Sequence, residues 1–195
     1  WTLFVYAVEG THKGSLIDSK RRLPLFSRFC ETMVPLLERN IELQLSNGAE
    51  VVMIFDTAAG ELAPNVFISE VAPQLQRLTR ANGARVGYYS KGTNPAHLRD
   101  ALFKQGTLAG IGVDHRWDLR DAFAEFSEGF VQGNFDQTLL LAGRADLEKH
   151  LRGYLEPLRA NPPAGWICGL GHGVLPGTPE DNVRLFVDSV REVMQ

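Results

Sequence analysis

At 195 residues and a net charge of −3, the chain is long enough to bury a sizeable core and carries no excess of basic residues. Hydrophobic residues make up 44% of it and charged residues 22%, a balance that is ordinary for a soluble globular protein. This composition excludes the basic footprint of a nucleic-acid-binding protein, although a few local cations would still suffice to bind an anionic substrate.

Three features of the sequence indicate where in the cell the protein is found: its cysteines, its apolar runs and its first residues. Cys30 and Cys168 lie far apart and form no CxxC pair, which favours a reducing cytoplasm. The longest apolar runs, such as residues 51–55, are far shorter than the roughly 18 residues of a membrane span. The first residues lack the charged and apolar regions of a signal peptide, and Trp1 lies inside an apolar run. We therefore expect a cytoplasmic protein without membrane association, in which Trp1 is an internal position of a longer chain.

Short apolar runs along the chain are the candidate strands. They alternate with longer segments of helical period, which is typical of βα units with a helix in each connection. The predicted strands are residues 2–7, 51–56, 85–90, 109–114, 130–134 and 166–170.

Four apolar stripes at helical spacing are the candidate helices. The first covers residues 24–46, with a kink expected at Pro35, and the next two run from Phe67 to Leu78 and from Leu147 to Leu158. The last helix is predicted to begin with Thr178 as its N-cap and Pro179 at the first helical position.

Alternation of apolar strands and amphipathic helices predicts a parallel sheet covered by helices, either an open doubly wound sheet or a barrel. No GxGxxG or GxxxxGK[ST] motif follows a strand, which counts against the nucleotide-binding open sheets. Because the carboxyl ends of barrel strands build the active site, the polar residues that end these runs are site candidates. They are Tyr6, Asp56 with Thr57, Ser90, Asp114, Asn134 and His172.

Four segments of the chain, taken in order, resemble the uroporphyrinogen decarboxylase family. They are WTLFVYAVEG at 1–10, FDTAAGELAPNVF at 55–67, QGNFD at 132–136 and GLGHGVLPGTPEDNV at 169–183. The last is the most specific, and YYSKG at 88–92 and GIGVDHRWDL at 110–119 fit between the others. The resemblance covers the whole chain but not the whole family, whose barrel has about three further strands in front.

The resemblance implies an α/β fold of the (β/α)8 TIM-barrel type that lacks its N-terminal strands and keeps its last five. Residues 1–195 would form the C-terminal portion of one such domain, with Trp1 near the end of the third strand. The implied activity is decarboxylation of the four acetate side chains of uroporphyrinogen III, which gives coproporphyrinogen III in porphyrin biosynthesis. The family needs no metal or organic cofactor, and it generally works as a cytosolic homodimer on its tetrapyrrole substrate.

The resemblance also implies roles for three residues that bind substrate. Tyr6 matches the tyrosine that lines the cleft, Thr57 matches a hydroxyl that binds a substrate carboxylate, and His172 matches the histidine of the Gly-His-Gly loop. Many members of the family have Ser where this chain has Thr57, and either residue supplies the hydroxyl.

Other residues in the chain are weaker candidates. The arginines and the aspartate of the family's active site lie upstream of this chain, so its catalytic residues are not identified. Asp56 and Asp114 lie on other strands and are not expected to replace that aspartate. Lys91 follows a strand end and is a candidate to face the cleft, whereas the charged run at 20–22 is expected to be solvated.

Two alternatives remain open at this point. The corrinoid-dependent methyltransferases of the same superfamily activate a thiol with zinc, which requires a His-x-Cys pair and a cysteine near the last strand. This chain has no His-x-Cys, and Cys168 is offset from the required position. The second alternative is a non-catalytic partial barrel that serves as a binding module.

Overall fold

The computed structural model describes residues 1–99 and 108–194 and contains one five-stranded parallel sheet. Its spatial order, β1-β2-β3-β4-β5, is the order of the strands along the chain. The prediction of five adjacent parallel strands is thus confirmed, and the sheet has no reversal of strand order. The strands are β1 (Val52–Asp56), β2 (Val86–Ser90), β3 (Gly110–Gly112), β4 (Phe130–Phe135) and β5 (Trp166–Leu170).

Helices precede the sheet and fill the connections between its strands. The stripe that begins at Phe67 forms a nearly continuous helix, of which the π-helical part is Phe67–Val71. The helices are α1 (Thr2–Glu9), α2 (Ile17–Arg21), α3 (Phe26–Ser46), α4 (Pro64–Val66), α5 (Ala72–Thr79), α6 (Pro95–Leu98), α7 (Leu119–Glu125), α8 (Arg144–Ala160) and α9 (Glu180–Val193).

The predicted strand at residues 2–7 is wrong, because this segment is helix α1. Its apolar residues divide between two faces at helical spacing: Phe4 and Val5 are buried, while Leu3 and Tyr6 are exposed. The helix ends at Gly10, whose backbone adopts the left-handed conformation (φ 70°) and donates a 3.0 Å hydrogen bond to the Tyr6 carbonyl. Burial of one helical face and this C-cap outweigh the strand propensity of the aromatic and β-branched residues.

The start of the last helix also differs from the prediction. Helix α9 begins at Glu180 with Pro179 as its N-cap, so Thr178 is not the cap. The Thr178 hydroxyl instead donates a 2.8 Å hydrogen bond to the Leu175 carbonyl and closes the preceding turn. Glu180 and Asp181 occupy the first turn, where their negative charges interact favourably with the positive end of the helix dipole.

The sheet face turned away from the helices is layered by residues in register. One row consists of Met53, Gly87, Gly110 and Phe130. The next row consists of Phe55, Tyr89, Gly112, Gln132 and Ile167. The glycines make room: a Cβ on Gly110 would lie 2.4 Å from the Phe130 ring, and one on Gly87 would lie 2.1 Å from the Met53 sulfur. Such layers fill the interior of a β/α barrel.

The two outer strands show that this barrel is partial. Neither β1 nor β5 has a second strand partner among residues 1–99 and 108–194. Phe55 on β1 is 63% exposed and Ile167 on β5 is 44% exposed, although both belong to the inner face. A sequential parallel sheet with helices on one face is part of a (β/α)8 barrel, as predicted.

Candidate functional site

The polar residue that ends β1 has a structural role. Asp56 is buried, and its Oδ1 accepts hydrogen bonds from the backbone nitrogen (2.9 Å) and hydroxyl (2.5 Å) of Thr2. Its Oδ2 accepts a 3.0 Å hydrogen bond from the Tyr88 hydroxyl. The Thr2 hydroxyl also accepts a 2.9 Å hydrogen bond from the Ala58 nitrogen, so α1 is fastened to the segment that follows β1. Both carboxylate oxygens of Asp56 therefore form hydrogen bonds within the fold.

Asp114 and Asn134, which follow β3 and lie in β4, are likewise buried and bonded. Asp114 accepts hydrogen bonds from the Gly92 nitrogen (2.6 Å) and from both the backbone and the guanidinium of Arg116. The Asn134 side-chain amide donates to the carbonyls of Asp114 (2.9 Å) and Trp117 (2.7 Å). These contacts shape the loops at the mouth of the barrel and leave Asp114 little capacity to bind a substrate.

The loop after β5 is held firmly and presents His172. The Gly171 nitrogen donates a 2.8 Å hydrogen bond to the Phe135 carbonyl, and the Tyr89 hydroxyl donates a 2.7 Å hydrogen bond to the Gly171 carbonyl. A Cβ on Gly171 would lie 2.5 Å from the His115 nitrogen, so only glycine fits this close approach. The sequence Gly-His-Gly thus allows the loop to pack onto the ends of β3 and β4.

His172 is half-buried at this mouth, and its Nε2 atom is shielded from solvent without a hydrogen-bond partner in the described protein. Partial burial is the main cause that lowers the pKa of His172, and the positive charge of Lys91 adds to it. A backbone hydrogen bond with Gly173 and the charge of Asp114 act in the opposite direction without cancelling the effect. The imidazole is therefore biased toward its neutral form and has a ring nitrogen available for a ligand.

Tyr6 lies in the last turn of α1, and its neighbour is a residue that the sequence did not single out. The Tyr6 hydroxyl is hydrogen-bonded to His12 Nδ1, and the two ring centroids are 5.4 Å apart. The charge of His12 also contributes to the lowered pKa of His172. Tyr6 contacts His12 directly, and His12 is close enough to His172 for its charge to act there. The only sequence signal for this contact is Gly10, which ends α1 and lets the chain turn back.

Thr57 and Lys91 directly follow β1 and β2. The last paired positions of these strands are Asp56 and Ser90, so Thr57 and Lys91 are the first residues of the loops at the carboxyl ends of two neighbouring strands. The Gly60 nitrogen donates a 3.0 Å hydrogen bond to the Lys91 carbonyl, which joins the two loops. Both side chains are half-buried, and no acidic oxygen of the described residues lies within 4.0 Å of the Lys91 ammonium.

The arrangement of possible metal ligands differs from that of a zinc-thiol site. In the part of the chain that the structure describes, no three His, Cys, Asp or Glu side chains group together as a metal site. Cys168 packs with the apolar residues between the sheet and helices α8 and α9, and burial raises the pKa of its thiol to about 12. A thiolate at this position is therefore strongly disfavoured.

The fold is part of a β/α barrel, and polar side chains collect on the loops after its strands, which is where proteins of this class build their sites. The family model for uroporphyrinogen decarboxylase matches residues 1–193. The chain belongs to the uroporphyrinogen decarboxylase family.

Individual relatives agree with this assignment. Uroporphyrinogen decarboxylase from Microcystis aeruginosa is 31% identical over 202 residues, which cover 98% of this chain and 56% of that protein. The enzyme of the same name from Thermus thermophilus is 31% identical over 99% of this chain and 57% of its own length. The chain thus spans little more than half the length of these relatives.

A solved structure supports the fold alone. A methyltransferase from Methanosarcina mazei superposes with a TM-score of 0.67 and 19% identity, covering 83% of this chain and 48% of that one. Within the described residues, no helix has the length and apolar character required to cross a membrane.

Proposed function

We propose that the protein to which this chain belongs is a carboxy-lyase that converts uroporphyrinogen III to coproporphyrinogen III by removing four acetate carboxylates. The family assignment supports this reaction, and the described residues include polar groups suited to binding carboxylates. Protonation of a pyrrole carbon makes the ring its own electron sink, so an acetate group can lose carbon dioxide. The protein must then hold carboxylates, position the ring and move protons.

The observation that carries the proposal is a set of donors at the mouth of the barrel without partners of their own. His172 Nε2 is shielded and unbonded, and the Lys91 ammonium has no acidic partner among the described residues. A buried polar atom without a partner is costly, and a bound ligand would satisfy it. A bound carboxylate accepts from the Lys91 ammonium, and its negative charge favours the protonated imidazole of His172, whose Nε2 then donates to it.

Each residue has a role in this proposal. His172 and Lys91 bind one carboxylate, and the charge of Lys91 strengthens the hydrogen bonds. Thr57 binds through its hydroxyl from the loop after β1, and Tyr6 donates to the substrate from α1. The acid that protonates the pyrrole carbon is expected among residues upstream of the chain.

We further propose that residues 1–195 are the C-terminal portion of a single barrel domain, and that the complete protein is a cytoplasmic homodimer. The unpaired edges of β1 and β5 and the exposure of Phe55 and Ile167 support a barrel that other residues complete. Cofactor-independent action is part of the same proposal.

The test uses the complete protein with uroporphyrinogen III under anaerobic conditions, and it separates the products by their number of carboxylates. We expect intermediates with seven, six and five carboxylates, followed by coproporphyrinogen, at rates that persist after treatment with a chelator. Absence of products would refute the proposal. Transfer of a methyl group from methylcobalamin to a thiol, abolished by the chelator, would support the methyltransferase alternative.

A further inference from the structure

We propose that His12 is a positioning residue that fixes the hydroxyl of Tyr6 at the mouth of the barrel. This inference rests on the proposed function, because Tyr6 has its substrate-binding role there. It adds a residue to the site that lies outside the strand-end positions identified from the sequence.

The local backbone brings His12 to Tyr6. Helix α1 ends at Glu9, and Gly10 adopts the left-handed conformation with φ 70°. A residue with a Cβ would be strained in that conformation. The turn reverses the chain, so His12 returns along the last helical turn and its ring lies against that of Tyr6 at an interplanar angle of 57°. The contact joins a residue of a regular helix to a half-buried loop residue.

The hydrogen bond determines what the Tyr6 hydroxyl offers to a ligand. A phenol has a single proton and also accepts hydrogen bonds. When His12 Nδ1 accepts that proton, the oxygen of Tyr6 presents lone pairs to the cleft. When Nδ1 carries a proton, it donates to Tyr6, and the phenol proton is then free to bond a substrate carboxylate. In both cases the phenol ring is held in one orientation, which lowers the entropy lost on binding.

The position of the Tyr6–His12 pair distinguishes it from an ordinary contact between two surface residues. The charge of His12 affects the pKa of His172, so the pair lies within electrostatic reach of the proposed carboxylate site. Tyr6 is 45% exposed, so the side chain that His12 contacts is also accessible to a ligand.

The test compares variants of the complete protein. His12→Phe keeps an aromatic ring against Tyr6 but removes the nitrogen, His12→Asn restores a polar group near the position of Nδ1, and Lys13→Ala is the control at the next exposed residue. We expect His12→Phe to lower kcat/KM for uroporphyrinogen about 2- to 13-fold, which is what a net hydrogen-bond contribution of about 0.5–1.5 kcal/mol corresponds to. His12→Asn should recover part of the loss, and Lys13→Ala should retain the rate of the unmodified protein.

A double-variant cycle identifies the route of the effect. If His12 acts through Tyr6, then His12→Phe has no further effect once Tyr6→Phe is present. A second readout does not depend on turnover: in protein with ¹³C-labelled tyrosine, the Tyr6 Cζ resonance should shift on His12→Phe and stay in place on Lys13→Ala.

The outcomes separate the two proposals. An unmodified protein that does not decarboxylate uroporphyrinogen contradicts the proposed function and, with it, this inference. An active protein whose His12→Phe variant keeps the full rate, loses the same factor in the Tyr6→Phe background, or leaves the Tyr6 resonance unchanged contradicts the role of His12 alone.

Discussion

The Tyr89 hydroxyl donates a 2.7 Å hydrogen bond to the carbonyl oxygen of Gly171, a residue 82 positions later in the chain. Tyr89 belongs to the inner face of β2, and its ring covers Gly112 and contacts Phe55. The bond fixes the residue immediately before His172 from β2, which is three strands away from β5 in the sheet. The placement of His172 therefore depends on a side chain in the barrel interior as well as on its own loop.

Removal of this bond should impair the site more than the fold. We predict that Tyr89→Phe lowers the free energy of unfolding by about 1 kcal/mol and decarboxylation roughly 3- to 10-fold, because the His172 loop loses a tether. Tyr88→Phe is the matched control, since Tyr88 is a buried neighbour whose hydroxyl bonds Asp56 on the other face. Denaturant unfolding and kcat/KM are the measurements. Equal losses of activity in both variants would contradict a specific role for the tether.

The hydroxyl of Thr57 and the imidazole of His172 are expected to bind carboxylates. His172→Ala should lower decarboxylation roughly 10- to 100-fold, since a charge-assisted hydrogen bond contributes about 1.5–3 kcal/mol. Thr57→Ser should be nearly silent and Thr57→Val damaging, because only the hydroxyl is required. Steady-state kinetics with each intermediate will show which step is affected. Full activity in both Thr57→Val and His172→Ala, with unchanged folding, would make these residues structural.

The charge of Lys91 should be detectable at His172. Because this positive charge disfavours protonation of the imidazole, Lys91→Met should raise the pKa of His172. Lys13→Met is the control, since Lys13 is exposed and does not contribute to that pKa. An NMR titration of the histidine Cε1 resonances measures the change. A pKa of His172 that is equal in the two variants would mean that Lys91 points away from the cleft.

The lowered pKa of His172 also has a consequence for stability. The unfolded state binds a proton at His172 more readily than the folded state does, so this group reduces stability as the pH falls below its unfolded pKa. Glutamine is neutral at every pH. The His172→Gln variant should therefore lose less stability than the unmodified protein when the pH falls from neutral to mildly acidic. Thermal unfolding at several pH values tests this, and an identical pH dependence for the variant would contradict it.

Close packing of the barrel interior makes a further prediction. Gly110→Ala places a methyl group 2.4 Å from the Phe130 ring and should cost about 1–3 kcal/mol of stability. The cost should shrink when Phe130→Leu is also present, because the two positions share one space. Gly143→Ala is the control, since nothing lies within 4 Å of its added Cβ. An additive double variant in thermal unfolding would argue against direct contact.

The sheet was predictable because buried parallel strands have a distinct apolar signal, and strands β1 to β5 were identified in order. The helix at residues 2–7 was not predictable in this way, because Phe4, Val5 and Tyr6 have a high propensity for strands. Only the burial of Phe4 and Val5 on one face reveals the helix. Thr178 fits the N-cap pattern in sequence, but its hydroxyl bonds the turn before it instead. Local patterns do not specify which of several nearby acceptors a side chain selects.

For the site, the sequence identified loop positions but not their partners. Asp56 ends β1 and Asn134 is the penultimate residue of β4, but their side chains form hydrogen bonds with Thr2, Tyr88 and the loop after β3. The sequence did not identify His12 as a site candidate, because its contact with Tyr6 depends on the direction in which the chain leaves Gly10. These are tertiary facts that periodicity and motifs do not encode.

The bonds between Thr2 and the segment around Thr57 have a mechanical consequence. Thr2 begins the helix that carries Tyr6, and its hydroxyl bonds both Asp56 and the Ala58 nitrogen, on either side of Thr57. The helix that carries Tyr6 and the segment that carries Thr57 are thus joined directly by hydrogen bonds. Under the proposed function, these bonds set the separation of the two residues before a ligand binds, and that separation selects ligands whose acidic groups lie at a matching distance.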